Sequence, residues 1–286
     1  MRFATVVVSG ERVSVVSDSS EGWYSLSELL GLSDSPQFEE ILARGVDMQL
    51  LRERLHDKSR GAKVLVEPGE EQFGAPFLRN RKIWGIGLNY AAHAADLAEL
   101  RPEQPASFIK GDHTIIGHGD EIVLPQDSQR VTAEAELGIV IGRECYKLDE
   151  EEDPFDYVFG FVPILDQTAE DILQLNPRYL TRSKNYPTFF SFGPTILSLD
   201  EALDGRDVGE IEVKTVRNGE VVRANTISAM MFGPQDLIRY HARIMPLFPG
   251  DIISTGTPGA GHIQHGDVVE AQISGFPTLI NSVRQG

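Results

Sequence analysis

The chain is poor in cysteine, in basic charge and in long apolar runs, and each shortage excludes something. Cys145 is the single cysteine among 286 residues, so no intrachain disulfide can form and a disulfide-stapled scaffold is excluded. No apolar stretch approaches the ~20 residues that a membrane-spanning helix needs. Lys and Arg number 26 against 43 Asp and Glu, a net charge of −17. Such a field repels phosphate backbones and anionic membrane surfaces, and no basic stripe with interleaved aromatics offsets it. Neither nucleic acid nor a membrane is an expected partner. Met1-Arg2-Phe3-Ala4 runs into a strand-like segment rather than an apolar signal core, which together with the lone cysteine predicts a cytoplasmic protein.

What the chain does contain is a change of texture near residue 75. Residues 2–16 cluster Thr5, Val6, Val7 and Val8, then Val13, Val15 and Val16, around Ser9-Gly10-Glu11, which predicts a hairpin. Residues 23–32 place Leu26, Leu29 and Leu30 on one helical face. After Ser35-Pro36 a second amphipathic stretch runs through Phe38, Ile41, Leu42, Met48, Leu51 and Leu55, so helices are expected in both. The turn-rich segment from Glu67-Pro68-Gly69 to Gly74-Ala75-Pro76 breaks the pattern and sets the expected boundary between a small N-terminal α+β domain, 1–75, and a larger domain, 76–286.

The larger domain shows short β-type runs at 107–110, 122–124, 134–141, 157–163, 211–217, 251–254 and 268–273, with one long helical pattern over 234–244. Irregular strand spacing with a single long helix argues against regular βαβ winding. It predicts an α+β, β-rich fold: a mixed sheet closed into a sandwich or roll. The acidic run 149–153 ends at Pro154 and reads as a solvated loop, because contiguous acids do not converge on one point.

The most informative run is Thr132-Ala133-Glu134-Ala135-Glu136-Leu137. In a strand, Glu134 and Glu136 fall on one face. Two adjacent anions repel unless a cation lies between them, and oxygen-only ligation suits a hard divalent ion such as Mg²⁺ or Mn²⁺; the plain alternative is the solvent face of an amphipathic strand. Asp166 stands at the end of the apolar run 157–165, a carboxylate attached to core that needs a partner. The three acids together would supply three oxygen ligands and leave positions open for water and substrate, as catalytic sites require.

Trp84-Gly85-Ile86-Gly87-Leu88-Asn89-Tyr90 is not a dinucleotide loop, because Tyr90 stands where a third glycine belongs. In the small-residue helix expected after it, His93 and Asp96 share a face, so the carboxylate can orient the imidazole. Lys184, in a polar-then-aromatic loop, and Lys110, closing the run Ser107-Phe108-Ile109, are either surface lysines or electrostatic clamps on a developing anion. Thr255-Gly256-Thr257-Pro258-Gly259 is a turn whose backbone amides can approach a bound anion.

From about residue 80 onward the chain resembles the catalytic domain of the fumarylacetoacetate hydrolase superfamily. The resemblance rests on Gly87-Leu88-Asn89-Tyr90 with His93, Phe108-Ile109-Lys110, Glu134-Ala135-Glu136-Leu137 with Val140-Ile141-Gly142, and Asp166 with Thr168-Ala169. It continues through Lys184 ahead of Gly193-Pro194, and Pro249-Gly250-Asp251 leading to Thr255-Gly256-Thr257-Pro258. It implies a mixed β-sandwich or β-roll, usually dimeric, that holds Mg²⁺ or Mn²⁺ on Glu134, Glu136 and Asp166 and acts on 2-oxo or 2,4-dioxo acids. His93 with Asp96 would sit on a lid and activate water, Lys184 would steady an oxyanion, and Lys110, Tyr90 and Thr257 would contact the substrate.

The implied reaction is hydrolysis of a C–C bond in an acylpyruvate-like or fumarylacetoacetate-like acid. The same scaffold also implies two alternatives, an oxaloacetate-type 2-oxo acid decarboxylase and a 2-hydroxymuconate-type isomerase. Four positions depart from the family pattern. Asp96 stands where Glu is usual, Pro187 replaces an aspartate, and Glu170 and Leu173 occupy positions where members that cleave dicarbonyl acids often carry Arg and Gln. Arg178 or Arg182 is the expected source of any replacement charge.

Overall fold

The computed structural model describes residues 1–18, 22–34, 36–57, 64–65, 72–79, 82–90 and 102–286. The predicted hairpin is present. Strand Arg2–Val8 pairs antiparallel with Glu11–Ser17, Val8 lying opposite Glu11. That register leaves a two-residue turn, and Ser9 and Gly10 both take positive φ, 52° and 85°, as the twist-matched hairpin turn demands.

The next segment differs from its sequence pattern. Residues 23–32 do not form one helix: Trp23–Ser25 is a strand paired with Val15 and Val16, and the helix Leu26–Leu30 begins only where the Ser25 side chain accepts from the Glu28 amide. Tyr24 and Trp23 are bulky aromatics that suit a strand position, and the leucine periodicity starts after them. The second amphipathic stretch is two helices, Phe38–Arg44 and Met48–His56. Gly45 ends the first, and Asp47 caps the second by accepting from Leu50 N at 2.9 Å.

Beyond residue 82 two sheets pack face to face. One contains the long antiparallel pair Val131–Ile141 and Val158–Ala169 at its centre. The other has five strands, with Glu212–Arg217, Val268–Ile273 and Leu279–Gln285 in its middle. Ala133, Ala135, Leu137 and Ile139 face the second sheet and share a core with Val213, Ala271, Leu279 and Val283. The helix Pro234–Ile244, with the bounds its sequence pattern predicts, adds Leu237, Ile238 and Ala242 to that core. The fold is thus α+β and rich in strand, as expected.

The alternate residues of Val131–Ile141 point the other way, and every residue of this strand is buried. A strand covered on both faces shows no simple in–out alternation. What the sequence pattern conceals is that the far end of this second face is apolar while the near end carries Thr132, Glu134 and Glu136. The strand bearing Asp166 also runs further than its apolar run suggests, to Ala169, because Ala169 still pairs with Val131.

The N-terminal hairpin joins the same sheet: Arg2, Phe3 and Ala4 pair with Leu197, Ile196 and Thr195. Phe3, fully buried, stacks its ring 4.6 Å from that of Phe159 and 6.1 Å from that of Phe38. Its cluster includes Leu51 and Leu55 from the N-terminal helices, and Ile164, Phe190, Phe192 and Ile252 from beyond residue 82. The first 57 residues therefore form part of the wall behind the long strand pair. Phe3→Ala is expected to lower the unfolding free energy by about 3–5 kcal/mol, measured by urea titration. A loss below about 1 kcal/mol would show that the N-terminal segment is not integral to this core.

Candidate active site

The register of the long pair sets Glu134 directly opposite Asp166, and the period of two puts Glu136 on the same face, one step along. Ligand atoms of all three carboxylates lie within 4.8 Å of one another, and all three residues are buried. Three like charges at this separation in a low-dielectric interior are held only by cations and hydrogen-bond donors. The chain supplies both.

Lys184 Nζ bridges two of the acids, 2.9 Å from Glu134 Oε2 and 2.5 Å from Asp166 Oδ2. It does not sit in a loop as its surroundings suggested: it closes the short helix Leu180–Lys184, and the Phe108 ring lies 4.8 Å beneath its ammonium. Lys110, at the end of strand Ala106–Lys110, reaches the other Asp166 oxygen at 2.5 Å and the Gln167 carbonyl at 3.3 Å. The Thr168 and Thr132 hydroxyls donate to Glu134 Oε1 at 3.0 and 3.4 Å. Glu136 accepts from Ser254 Oγ at 2.6 Å and from the Gly256 amide at 2.9 Å.

Gly256 is required there. Its φ is +94°, and a Cβ would stand 2.8 Å from Asn89 Cβ and 3.0 Å from the Ile86 carbonyl, so only glycine lets this amide turn to Glu136. The anion that the Thr255–Gly259 turn approaches is thus the protein's own carboxylate. Asn89 fixes the turn from the other side by donating to the Thr255 and Phe232 carbonyls at 2.7 and 3.0 Å.

The ionisation states follow from this arrangement. Burial alone would push the Asp166 carboxyl up, but the two lysines outweigh it and hold it below the usual carboxylate range. Burial would likewise push Lys184 down, and the surrounding Asp166, Glu134 and Glu136 reverse that, keeping its ammonium protonated above the ordinary lysine range. For Lys110 burial wins, and its ammonium is drawn down to about 8 despite Asp166. Glu136 is raised to about 8 by burial and by the neighbouring Asp166 and Glu134. Burial, with Glu136 nearby, also raises the Tyr90 phenol, whose hydroxyl has no hydrogen-bond partner among the described residues.

Of the residues singled out in the sequence, Glu134, Glu136, Asp166, Lys110 and Lys184 meet in one cluster, with Tyr90 beside it. Thr257 turns to its own loop, its hydroxyl 3.1 Å from the Gly259 carbonyl and 3.2 Å from the Gly259 amide. His93 and Asp96 lie outside the described residues. Glu170 pairs with Arg130, Arg182 pairs with Asp127 at 2.9 Å, and Arg178 lies on an exposed turn. Sequence reasoning passed over Ser254, Thr132 and Arg130; the two-residue spacing of Arg130, Thr132, Glu134 and Glu136 was the available signal for two of them.

The donor set fits a hard divalent cation. Among the described residues the metal-ligating groups that converge are all carboxylates, they are deeply buried, and against the two ammoniums they leave a formal charge of −1 when all three are ionised. Residues 82–284 match the family described as fumarylacetoacetate (FAA) hydrolase C-terminal. A mitochondrial oxaloacetate tautomerase of Rattus norvegicus is 32% identical over 227 residues, 77% of this chain and 71% of that protein. A fumarylacetoacetate hydrolase of Exiguobacterium antarcticum superposes with a TM-score of 0.84 at 27% identity over the whole of both chains. A maleylpyruvate hydrolase of Sphingobium sp. SYK-6, solved with manganese(II) and pyruvate, gives 0.80 at 26% identity, again over the whole of both chains.

Because Glu136 holds its proton until about pH 8, a cation that needs its carboxylate must displace that proton below this pH. Mn²⁺ binding followed by electron paramagnetic resonance is therefore expected to tighten up to about tenfold per pH unit between pH 6 and 8 and then level off. Glu136→Gln should weaken binding and flatten this slope. An affinity independent of pH in the unmodified protein would show that Glu136 is already ionised.

Proposed function

The chain belongs to the fumarylacetoacetate hydrolase family, and from that premise we propose that it is a divalent-metal-dependent hydrolase cleaving a C–C bond in a 2,4-dioxo acid. The observation that carries this reading is the buried triad Glu134, Glu136 and Asp166 bridged by Lys184. Mg²⁺ or Mn²⁺ held by the three carboxylates would supply Lewis-acid stabilisation of the enolate that C–C cleavage releases. Lys184 keeps its proton and presents fixed positive charge to that oxyanion without reorganising, the arrangement through which preorganised sites lower barriers. Lys110, near neutrality in its proton affinity, gives a proton to C3 of the departing enolate. His93, oriented by Asp96, is the proposed base for the water that attacks the C4 carbonyl.

A second reading is supported by Lys110. A buried amine drawn to about 8 can both take and give a proton at C3 of a 2-oxo acid, which is all that keto–enol exchange requires, and the Rattus norvegicus relative is a tautomerase by name. Here no water attacks and no mass is lost.

Turnover is expected with Mg²⁺ or Mn²⁺ and to vanish in EDTA. Mass-resolved products from acylpyruvates and from oxaloacetate separate the readings: two acids identify the hydrolase, an enol absorbance change at constant mass identifies exchange, and CO₂ identifies decarboxylation. Lys184→Met is expected to lower kcat about 10²–10³-fold. His93→Ala should abolish cleavage while sparing exchange; cleavage that survives His93→Ala would sink the proposed role of that pair.

A further inference from the structure

The side chains that share the face of the triad form a row that continues past it. Along one strand the row runs Glu136, Glu134 and Thr132, with Arg130 next in step just before the strand begins; along its partner it runs Asp166 and Thr168, with Glu170 next in step as the first residue of the helix that follows. Glu134 lies opposite Asp166 and Thr132 opposite Thr168. The ladder is extended one step further by the Glu170 amide, which donates to the Arg130 carbonyl at 2.8 Å. At that step the two side chains form an ion pair, Arg130 Nε to Glu170 Oε2. Arg130 lies four residues from Glu134, roughly 13 Å along the strand.

The pair is fixed on both sides. Ser128 Oγ and the Gln129 amide donate to the two oxygens of Asp171, at 2.7 and 2.8 Å, which ties the segment before Arg130 to the helix Glu170–Leu175. Glu170 keeps only 15% of its side-chain surface open, while Arg130 keeps 53%. The positive charge of Arg130 is therefore neutralised, through its Nε, by an anion that the fold holds in place. A second arginine of this region, Arg182, is engaged in the same way by Asp127, which also accepts from Tyr186 Oη at 2.8 Å.

Charge arithmetic then separates the two ends of the row. At the inner end, three carboxylates and two ammoniums sum to −1 when all are charged, and a divalent cation brings the sum to +1, which one substrate carboxylate balances. At the outer end, Arg130 and Glu170 sum to zero. A second carboxylate arriving there meets Glu170 as a like charge, and the arginine beside it brings no net positive charge to offset the loss of water around the anion.

We propose that the Arg130–Glu170 pair, set on the same sheet face as the triad, makes the site select 2-oxo acids whose distal end is uncharged. Glu170 is the excluding element and Arg130 the group that it withholds. The inference rests on the 2-oxo acid reading above and narrows it, for acids long enough to reach this pair, to those whose tail ends without charge.

The test uses the Mn²⁺-loaded full chain and isothermal titration calorimetry with 2-oxooctanoate and 2-oxooctanedioate. Both lack the 4-oxo group and so bind without cleavage, and they differ at the distal end by one carboxylate. The unmodified protein is expected to bind the monocarboxylate about tenfold more tightly or better. Glu170→Gln keeps shape and hydrogen bonding while removing the negative charge, and should shift the affinity ratio about tenfold toward the dicarboxylate. Arg130→Gln leaves Glu170 unneutralised and should shift it the opposite way. Opposite shifts from two neighbouring variants cannot arise from a shared loss of structure. Equal affinity for the two acids in the unmodified protein, a preference for the dicarboxylate, or a ratio unmoved by both variants overturns the inference and leaves the 2-oxo acid reading standing. Mn²⁺ binding with no uptake of either acid overturns both.

Discussion

Three carboxylates buried on one face of a single strand pair are the constraint on which the rest of this structure depends. Isolated, each would take up a proton or force the interior open to water. The fold instead draws compensating groups from widely separated parts of the chain. Lys110 comes from an edge strand, Lys184 from the last turn of a short helix, Ser254 from the end of the neighbouring strand Ile252–Ser254, the Gly256 amide from the turn after it, and the hydroxyls of Thr132 and Thr168 from the pair itself. Ser254 and Gly256 converge on one oxygen of Glu136, the two threonines on one oxygen of Glu134, and the two lysines take one oxygen each of Asp166. The carboxylates are thereby oriented toward a common centre, whereas free side chains of this kind would splay apart.

The same compensation is deliberately incomplete in charge. Two ammoniums against three carboxylates leave the cluster short of one positive charge, and the shortfall is carried by Glu136, whose carboxyl is the one driven upward. Asp166, with a lysine on each oxygen, is driven the other way. Two carboxylates a few ångströms apart thus differ in proton affinity because of which cations each one faces, and not because of how deeply each is buried.

A site of this kind needs a rigid wall behind it, and the long strand pair has one on either side. Alternate residues pack against the second sheet, while the far end of the carboxylate-bearing face packs against the phenylalanines shared with the N-terminal hairpin and helices. The hairpin extends the sheet through its pairing with Thr195–Leu197. The polar end of the row opens instead toward the Arg130–Glu170 pair, so that the strand pair is apolar at one end, charged in the middle and neutralised at its rim.

The parts of this picture legible in the sequence are those governed by short-range periodicity. The two-residue spacing of Glu134 and Glu136 put them on one face whatever the fold, the β-branched runs around Ser9-Gly10 fixed a hairpin, and the amphipathic pattern fixed the helix Pro234–Ile244. Trp23–Ser25 is a strand hidden in the sequence, because the leucine spacing immediately after it is a stronger signal than three strand residues can give. What only the tertiary structure decided are the meetings across long separations. Ser254 and Gly256 stand 118 and 120 residues from the glutamate they hold, Lys184 stands 50 residues from Glu134, and Glu170 stands 40 from the arginine that neutralises it. Periodicity sets which way a side chain points from its own backbone; strand register and loop path set what it points at, and those are fixed by the packing of the whole chain.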